Sequence, residues 1–243
     1  MNTGPQPSAE AAPLLIFPFN GNALEAVDCL GPAHRLVAFV DDTPSKRGPT
    51  EVGRPVVGRE ALVEHASAAV LAVPGSPASY RERRRIIEGL GVADNRFARV
   101  VHPTAAVSRL ARVGCNVLIM AGVVVTSNAV IGDHVCILPN TVVHHDVVIG
   151  AFSLIGSNVA IAGGVQVGEN CYVGSGSNII NGVELGSGCL IGLGSNVTRS
   201  VAAGTSVAGN PARPIKSGRH SLDVRNNLFL SERSSQLKQH PRE

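Results

Sequence analysis

Tryptophan is absent from the 243-residue chain, Phe, Trp and Tyr together supply 3% of it, and only two methionines occur. A core with so few rings is thin and repetitive, filled by Val, Ile, Ala and other small side chains. Charge is sparse as well: Lys+Arg 21 against Asp+Glu 18 leave a formal net charge of +3, too small to argue for nucleic acid or anionic lipid as a partner. Five cysteines in no paired spacing suggest neither a disulfide framework nor a zinc ribbon. No apolar run approaches the roughly 18 residues of a membrane span. The opening MNTGPQPSAEAAP lacks the basic segment and apolar run of a signal peptide, so a cytoplasmic protein is expected. What the chain does have is 44% hydrophobic residues, enough for one large or two small domains, and 27 glycines.

The second half is periodic. Steps of six from Val107 land on sixteen consecutive aliphatic residues, through Ile119, Ile137, Ile155 and Ile179 to Val197. Four residues after each stands a small or short side chain such as Ala129, Thr141, Ser153 or Cys171, and glycine often follows the aliphatic residue directly, as at Gly132, Gly150 and Gly168. One inward aliphatic per six residues suits a two-residue strand followed by a corner, with glycine at dihedrals other residues resist. Three such faces close a coil of 18 residues, and stacked coils lie about 4.8 Å apart. The prediction is a left-handed parallel β-helix built of hexapeptide repeats, over residues 101–216. Cys171 and Cys189, 18 apart, are expected to be coil neighbours in an apolar ladder.

The first hundred residues read differently. A polar tail over 1–12 precedes apolar runs at 14–17, 36–40 and 69–73, with helices expected near 21–30, 59–66 and 78–90. That alternation predicts a small Rossmann-like α/β domain over 13–100. Its first turn, Phe17-Pro18-Phe19-Asn20-Gly21-Asn22-Ala23, keeps Gly21 but lacks the spaced glycines of a dinucleotide site, so NAD is not expected. Asp41 and Asp42 follow the second run, where an open α/β sheet places ligand contacts; Asp42 could equally cap the next loop. The arginines at 81, 83, 84 and 85 are expected to form a solvated helix face. Residues 217–243 form a polar extension with partial periodicity at Leu222, Val224, Leu228 and Leu230.

Within the repeats His144-His145-Asp146 stands out against a background of few charges. His145 takes the third place of its hexad, at a corner and outward, with Ser127 one coil below and Gly163 one coil above. A histidine beneath a glycine has open space and a nearby backbone amide. Acyl transfer needs both: an imidazole to take the nucleophile's proton and a donor for the carbonyl oxygen. Asp146 could orient the imidazole. A three-histidine zinc site fails on spacing, because Ser108 and Arg109 stand two coils before His144 and His145; His134 is expected to pack near Phe152.

Val40-Asp41-Asp42, Gly53-Arg54-Pro55-Val56-Val57-Gly58, the run 101–107 (VHPTAAV), His145-Asp146-x-x-Ile149-Gly150 and the run 209–214 (GNPARP) together carry a resemblance. Over about residues 13–215 the chain resembles the UDP-4-amino-sugar N-acetyltransferases and sialic acid O-acetyltransferases of sugar-nucleotide and polysaccharide biosynthesis. The resemblance implies a homotrimer with acetyl-CoA in the groove between adjacent β-helices. It implies His145 as general base with Asp146 beside it, and backbone amides at Gly163, Leu193 and Gly194 on the cofactor. It also implies Asp41 and Asp42 near the base or ribose of a nucleotide sugar and Gly21 near its phosphates. Pro18, Phe19 and Ala23 depart from the family's glycine-rich first turn, and Leu138 and Leu154 replace an Asn and a second His found in many or some relatives. The activity expected is acetyl-CoA-dependent N-acetylation of a nucleotide-linked amino sugar. O-acetylation of a sugar hydroxyl such as a sialic acid's, and a non-catalytic trimer, are the alternatives.

Overall fold

A computed structural model describes residues 11–215. The expected extension over 217–243 and all but the end of the tail lie outside the described residues. Ala12, placed in the tail by its composition, instead opens the first strand.

Four strands, β1 (Ala12–Phe17), β2 (His34–Val40), β3 (Val56–Val57) and β4 (Ala69–Ala72), form a parallel sheet in the order β3-β2-β1-β4. Helices α1 (Gly21–Asp28), α2 (Ala61–Glu64) and α3 (Arg83–Glu88) are shorter than the sequence predicts. The stretch before α3 tightens to a 3-10 turn over Tyr80–Glu82. β1 is buried from Leu14 to Phe17, as a parallel strand covered on both faces must be. Asn20 caps α1, its side chain accepting the Ala23 N–H at 2.9 Å.

From Val100 the chain winds as a left-handed β-helix of two-residue strands, each pairing in parallel with the strand 18 residues on. The first face holds strands such as Leu118–Ile119, Cys136–Ile137 and Leu154–Ile155. The second holds Val124–Val125, Val142–Val143 and Ala160–Ile161, and the third Val130–Ile131, Val148–Ile149 and Gln166–Val167. The array starts one hexad before Val107, with Val101 paired to Ile119. After Val197 the last coil loses two residues: Val201 bridges Leu185 and Val207 pairs with Ile191, each 16 apart.

The coil interior is aliphatic and dry, with Ile119, Ile137, Ile149 and Ile155 wholly buried. Short polar side chains in the fifth place tie the corners: Thr141 Oγ1 donates to the Gly156 carbonyl (2.7 Å), Ser153 Oγ to Gly168 (3.1 Å) and Ser177 Oγ to Gly192 (3.0 Å). Cys171 Sγ makes the same bond to Gly186 (3.3 Å), so its thiol replaces a hydroxyl in the ladder. From Asn116 to Gly194 each corner turns on a residue of positive φ, which explains Asn128, Asn140, Asp146 and Asn158 at that place.

The α/β domain sits on the first face. Leu14, Ile16, Ala23, Ala26 and Tyr80 share one apolar cluster with Leu118, Met120, Cys136, Leu154 and Tyr172. Among the described residues no helix is long and apolar enough to cross a membrane.

Candidate active site

His145 occupies the corner between the second and third faces, its side chain 62% exposed. The corner dictates the neighbour: the left-handed residue after His145 is Asp146 (φ 60°), a residue type that tolerates this backbone. Its carboxylate reaches back, Oδ2 lying 2.7 Å from His145 Nδ1, while Asn128 Nδ2 one coil below donates to Oδ1 at 3.1 Å. The bond from His145 and then the bond from Asn128 hold the Asp146 carboxyl below its ordinary range. With Nδ1–H directed at the carboxylate, Nε2 is the nitrogen left to accept a proton.

Directly above the ring lies Gly163. A Cβ there would stand 2.6 Å from both Cε1 and Nε2, so any other residue would displace the imidazole. The Gly163 N–H donates to no partner among the described residues. An imidazole nitrogen beside a free backbone donor is the pair that acyl transfer uses.

Leu193 and Gly194 lie on another corner, between the first and second faces; Leu193 is 70% exposed and Gly194 has φ 63°. They and the His145 corner therefore border opposite edges of the second face. Between them runs a groove of about 350 Å³ lined by His144, Ala162, Asn178, Ile180 and Asn196. His134 belongs to the core and not to this site: its ring stacks on Phe152 at 4.5 Å between centroids.

The carboxyl ends of β1, β2 and β4 open on a cavity of about 890 Å³, which brings Gly21, Asp41 and Asp42 together. The two carboxylates are already engaged. Asp41 is buried and accepts from the Phe19 N–H (3.0 Å), the Thr43 N–H (2.8 Å) and Lys46 Nζ (2.8 Å). Burial pushes its carboxyl up, but the bonds from Lys46 and Thr43 outweigh this and hold it below the ordinary value. Asp42 takes a two-pronged contact from Arg59, Nε to Oδ1 at 2.5 Å and Nη2 to Oδ2 at 2.8 Å. Arg59 also donates to the Gly89 carbonyl (2.6 Å) and lies over the Phe17 ring.

Lys46, Arg59 and Arg85 thus line a cavity where sequence reasoning named only Gly21 and two acids. Lys46 and Arg59 are 5 and 17 residues beyond their carboxylate partners, and no periodic pattern marks them. The expected solvated arginine face needs correction. Arg83 is buried and Arg84 pairs with Glu169 and lies over Phe152, while Arg81, which donates to the Gly204 carbonyl, and Arg85 stay exposed as expected. The β-helix corner running past α3 supplies the carbonyls that bury Arg83 and the carboxylate that holds Arg84.

A hexapeptide β-helix with an open histidine–aspartate corner and an α/β domain on one face defines an acyltransferase of the hexapeptide class. The family model for the bacterial transferase hexapeptide (six repeats) matches residues 111–145 and 146–181. PerB from Caulobacter crescentus, in complex with CoA and GDP-perosamine, is similar at 30% identity and TM-score 0.75, over 85% of this chain and 98% of that one. The acetyltransferase domain of PglB from Neisseria gonorrhoeae, in complex with acetyl coenzyme A, is similar at 28% identity and TM-score 0.74, over 84% and 100%. WeeI from Acinetobacter baumannii shares the fold at 23% identity and TM-score 0.70, over 84% and 100%. Among curated protein sequences none matches the chain. The chain belongs to the hexapeptide-repeat sugar acetyltransferase family.

Proposed function

We propose that the protein transfers the acetyl group of acetyl-CoA to the amino group of a nucleotide-linked amino sugar, with His145 as general base. The observation that carries this is the 2.7 Å His145–Asp146 contact beneath the open Gly163 position. Likeness to PerB, bound to CoA and GDP-perosamine, supports the donor and the acceptor class.

The amine nitrogen attacks the thioester carbonyl carbon while His145 Nε2 removes its proton. The Gly163 N–H stabilises the oxyanion that forms. Collapse of the tetrahedral intermediate breaks the carbon–sulfur bond, and the imidazolium returns its proton to the departing CoA thiolate. Asp146 stabilises the imidazolium between these steps and keeps the ring in its working tautomer.

The groove on the second face, bordered by Gly163 on one side and by Leu193 and Gly194 on the other, receives the cofactor. Lys46, Arg59 and Arg85, beside the α1 terminus at Gly21, suit the two phosphates of the nucleotide. Asp41 and Asp42 act by holding Lys46 and Arg59 in place. The His145 corner lies opposite the first face, so the nucleotide cavity and the base of one chain are on different sides of its β-helix. A homotrimer resolves this, bringing the cavity of one protomer to the His145 corner of its neighbour. We place the reaction in the cytoplasm, where acetyl-CoA and nucleotide sugars are found; the five free thiols suit a reducing compartment.

The test is thiol release from acetyl-CoA across GDP-, UDP- and dTDP-linked amino sugars and free sialic acid, with wild type and His145→Ala side by side. Turnover with a nucleotide amino sugar, reduced at least about 100-fold in the variant, is the expected result. Turnover on sialic acid alone would replace N- by O-acetylation, and equal rates in the two proteins would remove His145 from the mechanism. No turnover together with no acetyl-CoA binding would point to a non-catalytic trimer.

A further inference from the structure

The corner between the third and first faces presents the same place in five successive coils, at His134, Phe152, Asn170, Gly188 and Gly204. The segment from Tyr80 to Arg84 lies along it and touches every one. Tyr80 Oη donates to the Gly188 carbonyl (3.0 Å) and Arg81 Nη2 to Gly204 (3.2 Å), while Asn170 Nδ2 donates to the Arg81 carbonyl (3.0 Å). Arg83 reaches the two lower coils, Nε to the Phe152 carbonyl (2.9 Å) and Nη2 to His134 (2.7 Å).

Arg83 is only 1% exposed and no carboxylate pairs with it among the described residues. Burial lowers its pKa to about 10, so it remains a cation at neutral pH. A buried cation without a counter-ion is costly to fold around, and solvating it with three carbonyls from separate segments requires the planar fork of a guanidinium. The third carbonyl is that of Pro74, bound by Nη1. Pro74, Gly75 and Ser76 form a wall of the N-terminal cavity. Gly75 has φ 122°, and a Cβ there would meet Arg83 Cδ and Cγ at 3.0 Å, so this wall lies flat against the arginine stem. Just upstream, Ala72 at the end of β4 exchanges two bonds with Asn116 (2.7 and 3.0 Å), whose Nδ2 also lies 3.0 Å from His134 Nδ1.

We infer that Arg83 is a positioning residue for the acceptor site: it clamps the Pro74–Ser76 wall of the cavity to the β-helix, so that nucleotide affinity depends on that clamp. This rests on the cavity being the nucleotide site. The coils that carry the acyl-transfer corner thereby also set the shape of the acceptor pocket.

The experiment uses the full chain, with Arg83→Lys, which keeps the charge but loses the fork, and Gly75→Ala, which pushes the wall away while leaving every Arg83 donor in place. Hydrogen exchange is followed in peptides covering 73–79 and 160–180, and binding of GDP, UDP, dTDP and acetyl-CoA is titrated separately. Both variants are expected to exchange at least about 10-fold faster at 73–79 alone and to bind nucleotide about 10-fold more weakly. Acetyl-CoA affinity should stay within about twofold, a split that general destabilisation does not produce. Unchanged exchange at 73–79, or equal weakening of nucleotide and acetyl-CoA, would overturn the inference. If wild type binds none of the three nucleotides, the acceptor-site reading fails, while exchange at 73–79 still decides the clamp. If Arg83→Lys does not fold, Gly75→Ala carries the same comparison.

Discussion

Gly163→Ala separates the chemistry of the corner from the stability of the fold. The added methyl would stand 2.6 Å from His145 Cε1 and Nε2, against an ordinary contact of at least about 3.5 Å. The imidazole must therefore retreat by about 1 Å, by a rotation that also disturbs its 2.7 Å contact with Asp146. A misplacement of that size costs about 100-fold in rate, or about 2.7 kcal/mol of barrier at 1.36 kcal/mol per decade. Gly163 has no positive φ, so alanine meets no backbone strain, and losing a glycine from the unfolded chain adds about 0.4–1 kcal/mol of stability. The expected variant is at least as stable as wild type and about 100-fold slower. Gly164→Ala provides the contrast. Its φ is 72° and no atom lies within 4 Å of its Cβ position, so strain of about 1–2 kcal/mol should lower Tm while turnover stays near wild type. Steady-state thiol release and thermal unfolding of both variants form the assay. Wild-type turnover in Gly163→Ala would refute a mechanism that depends on where His145 sits.

Asp146→Asn keeps a residue suited to the left-handed corner but removes the charge facing Nδ1; kcat should fall about 10- to 100-fold with little change in acetyl-CoA affinity, checked by kinetics and calorimetry. Ile149→Ala empties a wholly buried place between Ile131 and Val167 and should cost about 2–5 kcal/mol in urea unfolding. Burial holds the His134 pKa below its ordinary value, with Arg83 acting in the same direction. The unfolded chain therefore takes up the proton first. The stability this confers is present above about pH 6.5 and declines as pH falls from there toward the folded value. His34, lowered by burial, adds to that decline. His134→Asn, a residue that accepts the same positive φ, should show a smaller loss of Tm between pH 7 and 5, and an unchanged profile would exclude His134 as a source.

Periodicity made the β-helix legible before any coordinates, because one inward aliphatic in six is a local rule obeyed from Val101 to Val197. It also marked the His145 corner. Stacking by 18 places Gly163 over His145, whereas the left-handed backbone that suits Asp146 to its corner is seen only in the folded coil. The strand–helix alternation of the first hundred residues likewise announced a parallel sheet with Gly21, Asp41 and Asp42 at its carboxyl edge. Other features depended on contacts between segments distant in sequence, which no local pattern encodes. Lys46 and Arg59 became cavity residues only when the fold brought them to Asp41 and Asp42. The arginine run reads as a solvated face until the helix bearing it is laid along a β-helix corner, where carbonyls of His134 and Phe152 solvate a buried guanidinium. Spacing along the chain alone dictates the coil, its core and the place of the His145–Asp146 corner. Which charges face the cavity follows from the folding of the α/β domain on itself, and which arginine is buried follows from the docking of that domain on the β-helix, because both depend on contacts between segments distant in sequence.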